Sequence, residues 1–101
     1  MKIKKTKFEG LLILIGEKHQ DKRGYLRELV LEKLIKKKFK FQITSVSKKN
    51  VLRGLHYQIK KPQGKLISVI KGEVFDVAVD LRKKSKTFGK HFFLKLTVFE
   101  I

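Results

Sequence analysis

Short apolar runs separated by turn residues set the pattern of this chain. Residues 11–15 form a continuous apolar run that ends at Gly16, which is typical of a buried strand. The run Asp21-Lys22-Arg23-Gly24 has the composition of a tight turn. Between residues 25 and 38, apolar side chains recur at helical spacing and predict one short amphipathic helix. Further strands are predicted at residues 39–43, 51–59, 65–70, 74–81 and 91–99.

These elements predict an all-β domain of antiparallel strands, spanning residues 1–101 as a single domain. Gly72 lies between the apolar runs 65–70 and 74–81 and predicts a tight hairpin that joins them. The last strand is followed at once by the end of the sequence, which would leave an apolar edge open. We therefore expect a partner strand from a second subunit or from the rest of a longer protein.

The chain is strongly basic, with a formal net charge of +17 from 26 Lys and Arg against 9 Asp and Glu. Such a charge attracts polyanions, but only four of the basic residues are arginine and the lysines are scattered, so nucleic-acid binding is not the favoured interpretation. The absence of cysteine excludes a disulfide framework and a cysteine nucleophile. The apolar run at 11–15 is too short for a signal peptide or a membrane span, so we expect a cytoplasmic protein without membrane contact.

The candidate chemistry lies in the predicted strand 51–59. Arg53 is suited to phosphate oxygens and His56 to proton transfer, and Gly54 between them can kink the strand so that both reach one cavity. Lys65, at the start of the next strand, can stabilise a developing oxyanion, and Asp76 and Asp80 can orient either group. The alternative is a surface Arg53 with a His56 packed in the core. The three histidines lack metal-ligand spacing, so no metal site is expected.

Several motifs, in order from about residue 8 to 96, resemble the dTDP-4-dehydrorhamnose 3,5-epimerases. They are Asp21-Lys22-Arg23-Gly24-Tyr25 followed by Glu28, Val51-Leu52-Arg53-Gly54-Leu55-His56-Tyr57-Gln58, Gln63-Gly64-Lys65-Leu66, Gly72-Glu73-Val74-Phe75-Asp76-Val77-Ala78-Val79-Asp80-Leu81-Arg82, and Ser85-Lys86-Thr87-Phe88-Gly89. The resemblance implies a cupin-type jelly roll, here incomplete, with one short helix near the N-terminal third. It also implies a homodimer, no metal or nucleotide cofactor, and a dTDP-4-keto-6-deoxy-hexose substrate epimerised at C3 and C5.

The same resemblance assigns roles to individual residues. His56 is the catalytic base, Lys65 contacts the ketone oxygen or the nearby sugar, and Arg53 contacts the diphosphate. Arg23 and Glu28 bind the nucleotide across the dimer. Gln42 and Ser45 are candidates for substrate contact, in a segment that lacks the asparagine found in the family.

The chain also lacks the second half of the family pattern, which carries a second histidine, a tyrosine acid and an aspartate that pairs with the base. We therefore expect an N-terminal fragment with little or no epimerase activity, because a base without its partners loses orders of magnitude in rate. Two alternatives stay open: a related epimerase or isomerase for another base or sugar, such as a GDP-linked keto-heptose, and a basic module that binds polyanions without catalysis.

Overall fold

The computed structural model describes residues 1–98, which form three antiparallel two-stranded sheets and one short helix. The elements are β1 (Lys2–Lys5), β2 (Leu12–Ile15), β3 (Lys18–Asp21), β4 (Gly24–Arg27), α1 (Glu32–Ile35), β5 (Glu73–Val79) and β6 (His91–Thr97). The sheets pair β1 with β2, β3 with β4, and β5 with β6. An all-β, antiparallel class with one short helix is thereby confirmed.

The chain divides into two compact units. The first unit contains Met1–Leu31 together with the chain from Ser68 onward, and the second unit is Glu32–Ile67. All six strands belong to the first unit and α1 belongs to the second.

The first unit has a small core built on β6. Leu96 and Val98 are buried with Val69, and Leu94 packs against this cluster. Because strand side chains alternate between two faces, the even-numbered positions of β6 turn inward while Lys95 and His91 stay exposed. Phe92 extends the same inward face and contacts the buried Phe8 edge to face, with ring centroids 6.2 Å apart.

The turn predicted at residues 21–24 is confirmed, and it joins the hairpin β3–β4. The Asp21 Oδ1 atom accepts a hydrogen bond from the Arg23 amide at 2.8 Å, which is the contact expected of an aspartate that opens a turn. The predicted helix 25–38 is wrong over its first part, since Tyr25 and Leu26 pair with Gln20 and His19 in β4. Only Glu32–Ile35 is helical, because the hydrogen bonds to β3 outweigh the helical spacing of the apolar residues.

The hairpin predicted around Gly72 is also wrong. β5 pairs instead with β6 over its whole length, from Glu73 opposite Thr97 to Val79 opposite His91. Residues 65–70 form no strand, and the Val69 carbonyl accepts a hydrogen bond from the Arg27 guanidinium at 3.0 Å. The same guanidinium binds the Val98 carbonyl at 3.3 Å, so a side chain supplies donors that a neighbouring strand would otherwise provide.

The strand predictions for β2 and the final segment are confirmed in type, with Leu12–Ile15 and His91–Thr97 as their observed bounds. Phe99, the predicted end of the last strand, lies outside the described residues. β1 was not predicted and pairs with β2 from Lys2 opposite Ile15 to Lys5 opposite Leu12.

The second unit has no strand, so the strands predicted at 39–43 and 51–59 are wrong. Apart from the half-buried Phe39, their apolar residues are exposed instead, including Leu52 at 93% and Ile59 at 85% of their full surface. A strand requires backbone hydrogen bonds to a neighbouring strand. Alternation of apolar residues shows only that one face of the segment could be buried.

Candidate functional site

His56 and Lys65 line the same cavity in the second unit. The cavity has a volume of about 250 Å³, and its wall is completed by Tyr57, Gln58, Pro62 and Gln63. Both His56 and Lys65 are exposed, so the imidazole and the ammonium group are open to a solute that enters the cavity. The alternative of a His56 packed in the core is therefore excluded.

The backbone turns sharply just before His56. Gly54 has a φ of 101°, in the region that favours glycine, which agrees with the break that we predicted at this position. A Cβ atom on Gly54 would also lie 3.7 Å from the His56 Nδ1 atom. The glycine therefore sets the direction of the chain at the candidate base without crowding its ring.

Arg53 does not line the cavity with His56. Its Nε atom donates a hydrogen bond to the Ser47 hydroxyl at 2.9 Å, and both side chains are exposed. Gln42 and Ser45 are exposed as well, and neither is among the residues that line the cavity. Of the candidates in the second unit, the structure thus brings together His56 and Lys65 only.

Arg23 and Glu28 belong to the first unit and are engaged in local contacts. The Arg23 guanidinium binds Asp21 through Nε at 3.2 Å and Nη2 at 2.7 Å, and these bonds lower the pKa of the Asp21 carboxyl. Glu28 Oε1 accepts hydrogen bonds from the Glu17 amide at 3.0 Å and from the Met1 ammonium at 3.1 Å. These two donors lower the pKa of the Glu28 carboxyl, the Glu17 amide contributing most.

Asp80 is not available to orient His56 or Lys65, which corrects the role suggested for it above. Its carboxylate is buried, with 5% of its surface exposed, and it accepts hydrogen bonds from Arg82, Ser85 and Thr87. These donors, Arg82 first, hold the pKa of the Asp80 carboxyl well below its usual range. Asp80 therefore organises the turn that follows β5.

The charge around the candidate base is simple. The residues that line the His56 cavity include one cation, Lys65, and no carboxylate. Within residues 1–98, no carboxylate lies within ion-pair distance of His56, and no group of three or more His, Cys, Asp or Glu side chains is placed to hold a metal ion. The cavity can therefore receive a polar solute between an imidazole and an ammonium group.

Within residues 1–98, no helix has the length and apolar character of a membrane span.

Comparison with known proteins identifies the family. The sequence profile of dTDP-4-dehydrorhamnose 3,5-epimerase matches residues 5–99. The chain belongs to the dTDP-4-dehydrorhamnose 3,5-epimerase family. The fold supports the match, because the crystal structure of dTDP-4-dehydrorhamnose 3,5-epimerase from Elizabethkingia anophelis NUHP1 aligns with a TM-score of 0.85 at 39% identity. That alignment covers 99% of this chain and 58% of the other.

Curated members of the epimerase family are similar over most of this sequence. The dTDP-4-dehydrorhamnose 3,5-epimerase of Methanothermobacter thermautotrophicus is 47% identical over 91 residues, covering 85% of this chain and 49% of the relative. The dTDP-4-dehydrorhamnose 3,5-epimerase of Salmonella typhimurium is 48% identical over 93 residues, covering 85% of this chain and 51% of the relative. The chain thus spans about half the length of these curated relatives.

Reasoning from the sequence missed four residues that line the cavity of this epimerase-family chain: Tyr57, Gln58, Pro62 and Gln63. Tyr57 and Gln58 follow His56 by one and two residues, and Gln63 precedes Lys65 by two, all three inside motifs that carry the resemblance. Their closeness in sequence to His56 and Lys65 is the feature from which they could have been predicted.

Proposed function

We propose that this chain supplies the proton-abstracting part of a dTDP-4-dehydrorhamnose 3,5-epimerase, with a dTDP-4-keto-6-deoxy-hexose as substrate. The observation that carries the proposal is the cavity shared by His56 and Lys65, in a chain that belongs to this family. A general base and a cation on one cavity are the two groups needed to remove a proton next to a carbonyl.

The chemistry follows from the position of the ketone. C3 and C5 both flank C4, so the electron pair left by a departing proton can move onto the C4 oxygen and form an enolate. His56 takes the proton, and the Lys65 ammonium group stabilises the negative oxygen. A water molecule delivers a proton to the opposite face of the same carbon and inverts the centre, and His56 then releases its proton to solvent, so the net proton count does not change.

The remaining substrate contacts belong to the same proposal. Arg53 binds the diphosphate, because a guanidinium group matches phosphate oxygens in a fork and its contact with the Ser47 hydroxyl is exposed and exchangeable. Gln42 and Ser45 contact the sugar. Arg23 and Glu28 bind the nucleotide across a homodimer, exchanging the local partners described above for the ligand.

Family membership also supports three further proposals: a jelly-roll fold, a homodimer and a cytoplasmic location.

We further propose that the 101-residue chain alone is a slow catalyst. Within residues 1–98, His56 has no carboxylate partner to fix its ring and tautomer, and removal of such a partner costs orders of magnitude in rate in other enzymes.

The substrate class is tested by following labelled histidine and lysine side chains by NMR while dTDP is added. We expect the signals of His56 and Lys65 to shift with saturation, while that of His91 stays in place. GDP is the matched ligand, and a preference for GDP would favour an epimerase for another nucleotide. Shifts that are spread over many lysines, indifferent to the base and abolished by salt would instead support simple polyanion binding.

A further inference from the structure

A second concave site lies in the first unit, and it contains none of the residues proposed for epimerisation. It is a cleft of about 520 Å³ beside the turn between β5 and β6. The residues that line it are Lys7, Glu9, Arg82, Lys84, Ser85, Lys86 and Thr87. Its size is in the range of clefts that hold small molecules.

The lining of the cleft is strongly cationic. Four of its side chains are positive, and Glu9 is the one negative group among them. Within residues 1–98, no ion pair joins Glu9 or Asp80 to any of the three lysines. The ammonium charges are therefore not neutralised by a neighbouring carboxylate, as they are in an ordinary surface ion-pair network.

Arg82 is held in a fixed orientation at this site. Its Nε and Nη2 atoms donate to the buried Asp80 carboxylate at 2.9 and 3.1 Å. Nη1 has no hydrogen-bond acceptor within residues 1–98 and lies close to Gly10, where an added Cβ would stand 3.9 Å from it. One donor edge of the guanidinium group is thus oriented by the protein and left open to a ligand.

The turn that carries the lysines is also held in place. The Ser85 and Thr87 hydroxyls both donate to the Asp80 Oδ2 atom, at 2.6 and 2.5 Å, and the Gly89 amide donates to the Asp80 carbonyl at 2.7 Å. The hydroxyls are occupied by Asp80, so the donors offered to a ligand are the guanidinium and ammonium groups. A site that is ordered before binding loses less entropy when the ligand arrives.

We propose that this cleft binds a multivalent phosphate-type oxyanion, such as a diphosphate group. Arg82 provides the oriented donor, and Lys7, Lys84 and Lys86 provide the surrounding positive charge. Glu9 weakens the binding by repulsion and sets an upper limit on the affinity. The proposal is independent of the epimerase reaction, because it depends on none of the residues assigned to that reaction.

The test is isothermal titration of the 101-residue chain carrying R53A, which removes the diphosphate contact proposed for the epimerase site, with inorganic pyrophosphate at constant ionic strength. The double variant K84A/K86A removes two charges from the cleft, and K36A/K37A removes two charges from the second unit as the matched control. We expect Kd to rise roughly tenfold or more in K84A/K86A and to change less than about twofold in K36A/K37A. Thermal unfolding of each variant shows whether the fold is kept.

Glu9→Gln is the second variant, and for it we expect the Kd for pyrophosphate to change in the opposite direction. Loss of its charge should lower Kd severalfold, and this result is informative even if K84A/K86A does not fold. Adenosine diphosphate distinguishes the source of the phosphate: affinity at least equal to that of pyrophosphate indicates a phosphate ester, and weaker affinity indicates the free anion. Equal weakening in both double variants, no saturable binding, or a Glu9→Gln variant that binds no more tightly would each overturn the proposal.

Discussion

The Asp80 carboxylate and the Arg82 guanidinium form a two-point contact, from Nε to Oδ1 at 2.9 Å and from Nη2 to Oδ2 at 3.1 Å. Asp80 directly follows β5 and Arg82 lies two residues further along, where the chain turns toward β6. Paired hydrogen bonds of this kind fix both distance and direction. Asp80 is therefore the residue that sets the path of the turn between the two longest strands.

Replacement of Asp80 by asparagine should destabilise the first unit. The amide is neutral and cannot accept at both ends, so the Arg82, Ser85 and Thr87 donors lose part of their partner. We expect the Tm from circular dichroism to fall by several degrees. Asp76→Asn is the control, because Asp76 forms no ion pair within residues 1–98, and a Tm for Asp80→Asn equal to that of the control would contradict this role.

The free energy of unfolding should decrease in acid, and the lowered pKa values of two carboxyl groups set the pH range of this decrease. Asp80 and Glu28 have pKa values in the folded chain below their ordinary values of 3.8 and 4.5. Such groups contribute their full stabilisation above the ordinary pKa and lose it as pH decreases toward the lowered one. Urea unfolding at a series of pH values should show a steady midpoint near neutrality and a decline below about pH 4.5. The decline should be shallower in Asp80→Asn, and an identical slope would show that this carboxylate does not control it.

Gly16 is expected to tolerate no larger side chain. A Cβ atom there would lie 2.2 Å from the carbonyl oxygen of Glu28, which is backbone and cannot rotate away. We predict that Gly16→Ala lowers the free energy of unfolding by about 2 kcal/mol or more.

Gly64 is the matched control for this substitution. No atom would lie within 4 Å of an added Cβ there, and its φ is not positive, so Gly64→Ala should change the free energy of unfolding by less than about 0.5 kcal/mol. Denaturant unfolding of the two variants gives the comparison. Equal stability of both variants would mean that the chain near Glu28 can move to accept a methyl group.

The elements that could be predicted from local pattern are those whose sequence signal does not depend on which strand they pair with. The apolar run that became β2 and the Asp21–Gly24 turn carry their signal within a few residues. The partner of β5 could not be read in this way, because residues 65–70 and 91–97 are both apolar and extended in pattern. The choice between them depends on contacts across the fold, including the Arg27 hydrogen bond to the Val69 carbonyl.

The candidate site shows the same division. Side-chain chemistry and motif resemblance both led to His56 and Lys65, and both residues line one cavity. Sequence alone could not show that Asp80 is held by its own turn, because the hydroxyl donors to Asp80 come from five and seven residues later in the chain. The exposed residues of the second unit were predicted as strands because alternation indicates a face to be covered, whereas hydrogen bonds to a neighbour define a strand.

Proton removal by His56 is tested most directly by deuterium exchange into dTDP-4-keto-6-deoxyglucose in heavy water, followed at C3 and C5 by mass spectrometry and NMR. We expect slow exchange with this chain, far below the rate of the curated relatives, because the base lacks an orienting carboxylate within residues 1–98. His56→Asn should reduce the exchange roughly a hundredfold, to the rate without protein, while His91→Asn leaves it unchanged. Exchange that continues at the original rate in His56→Asn would contradict the claim that this imidazole removes the proton.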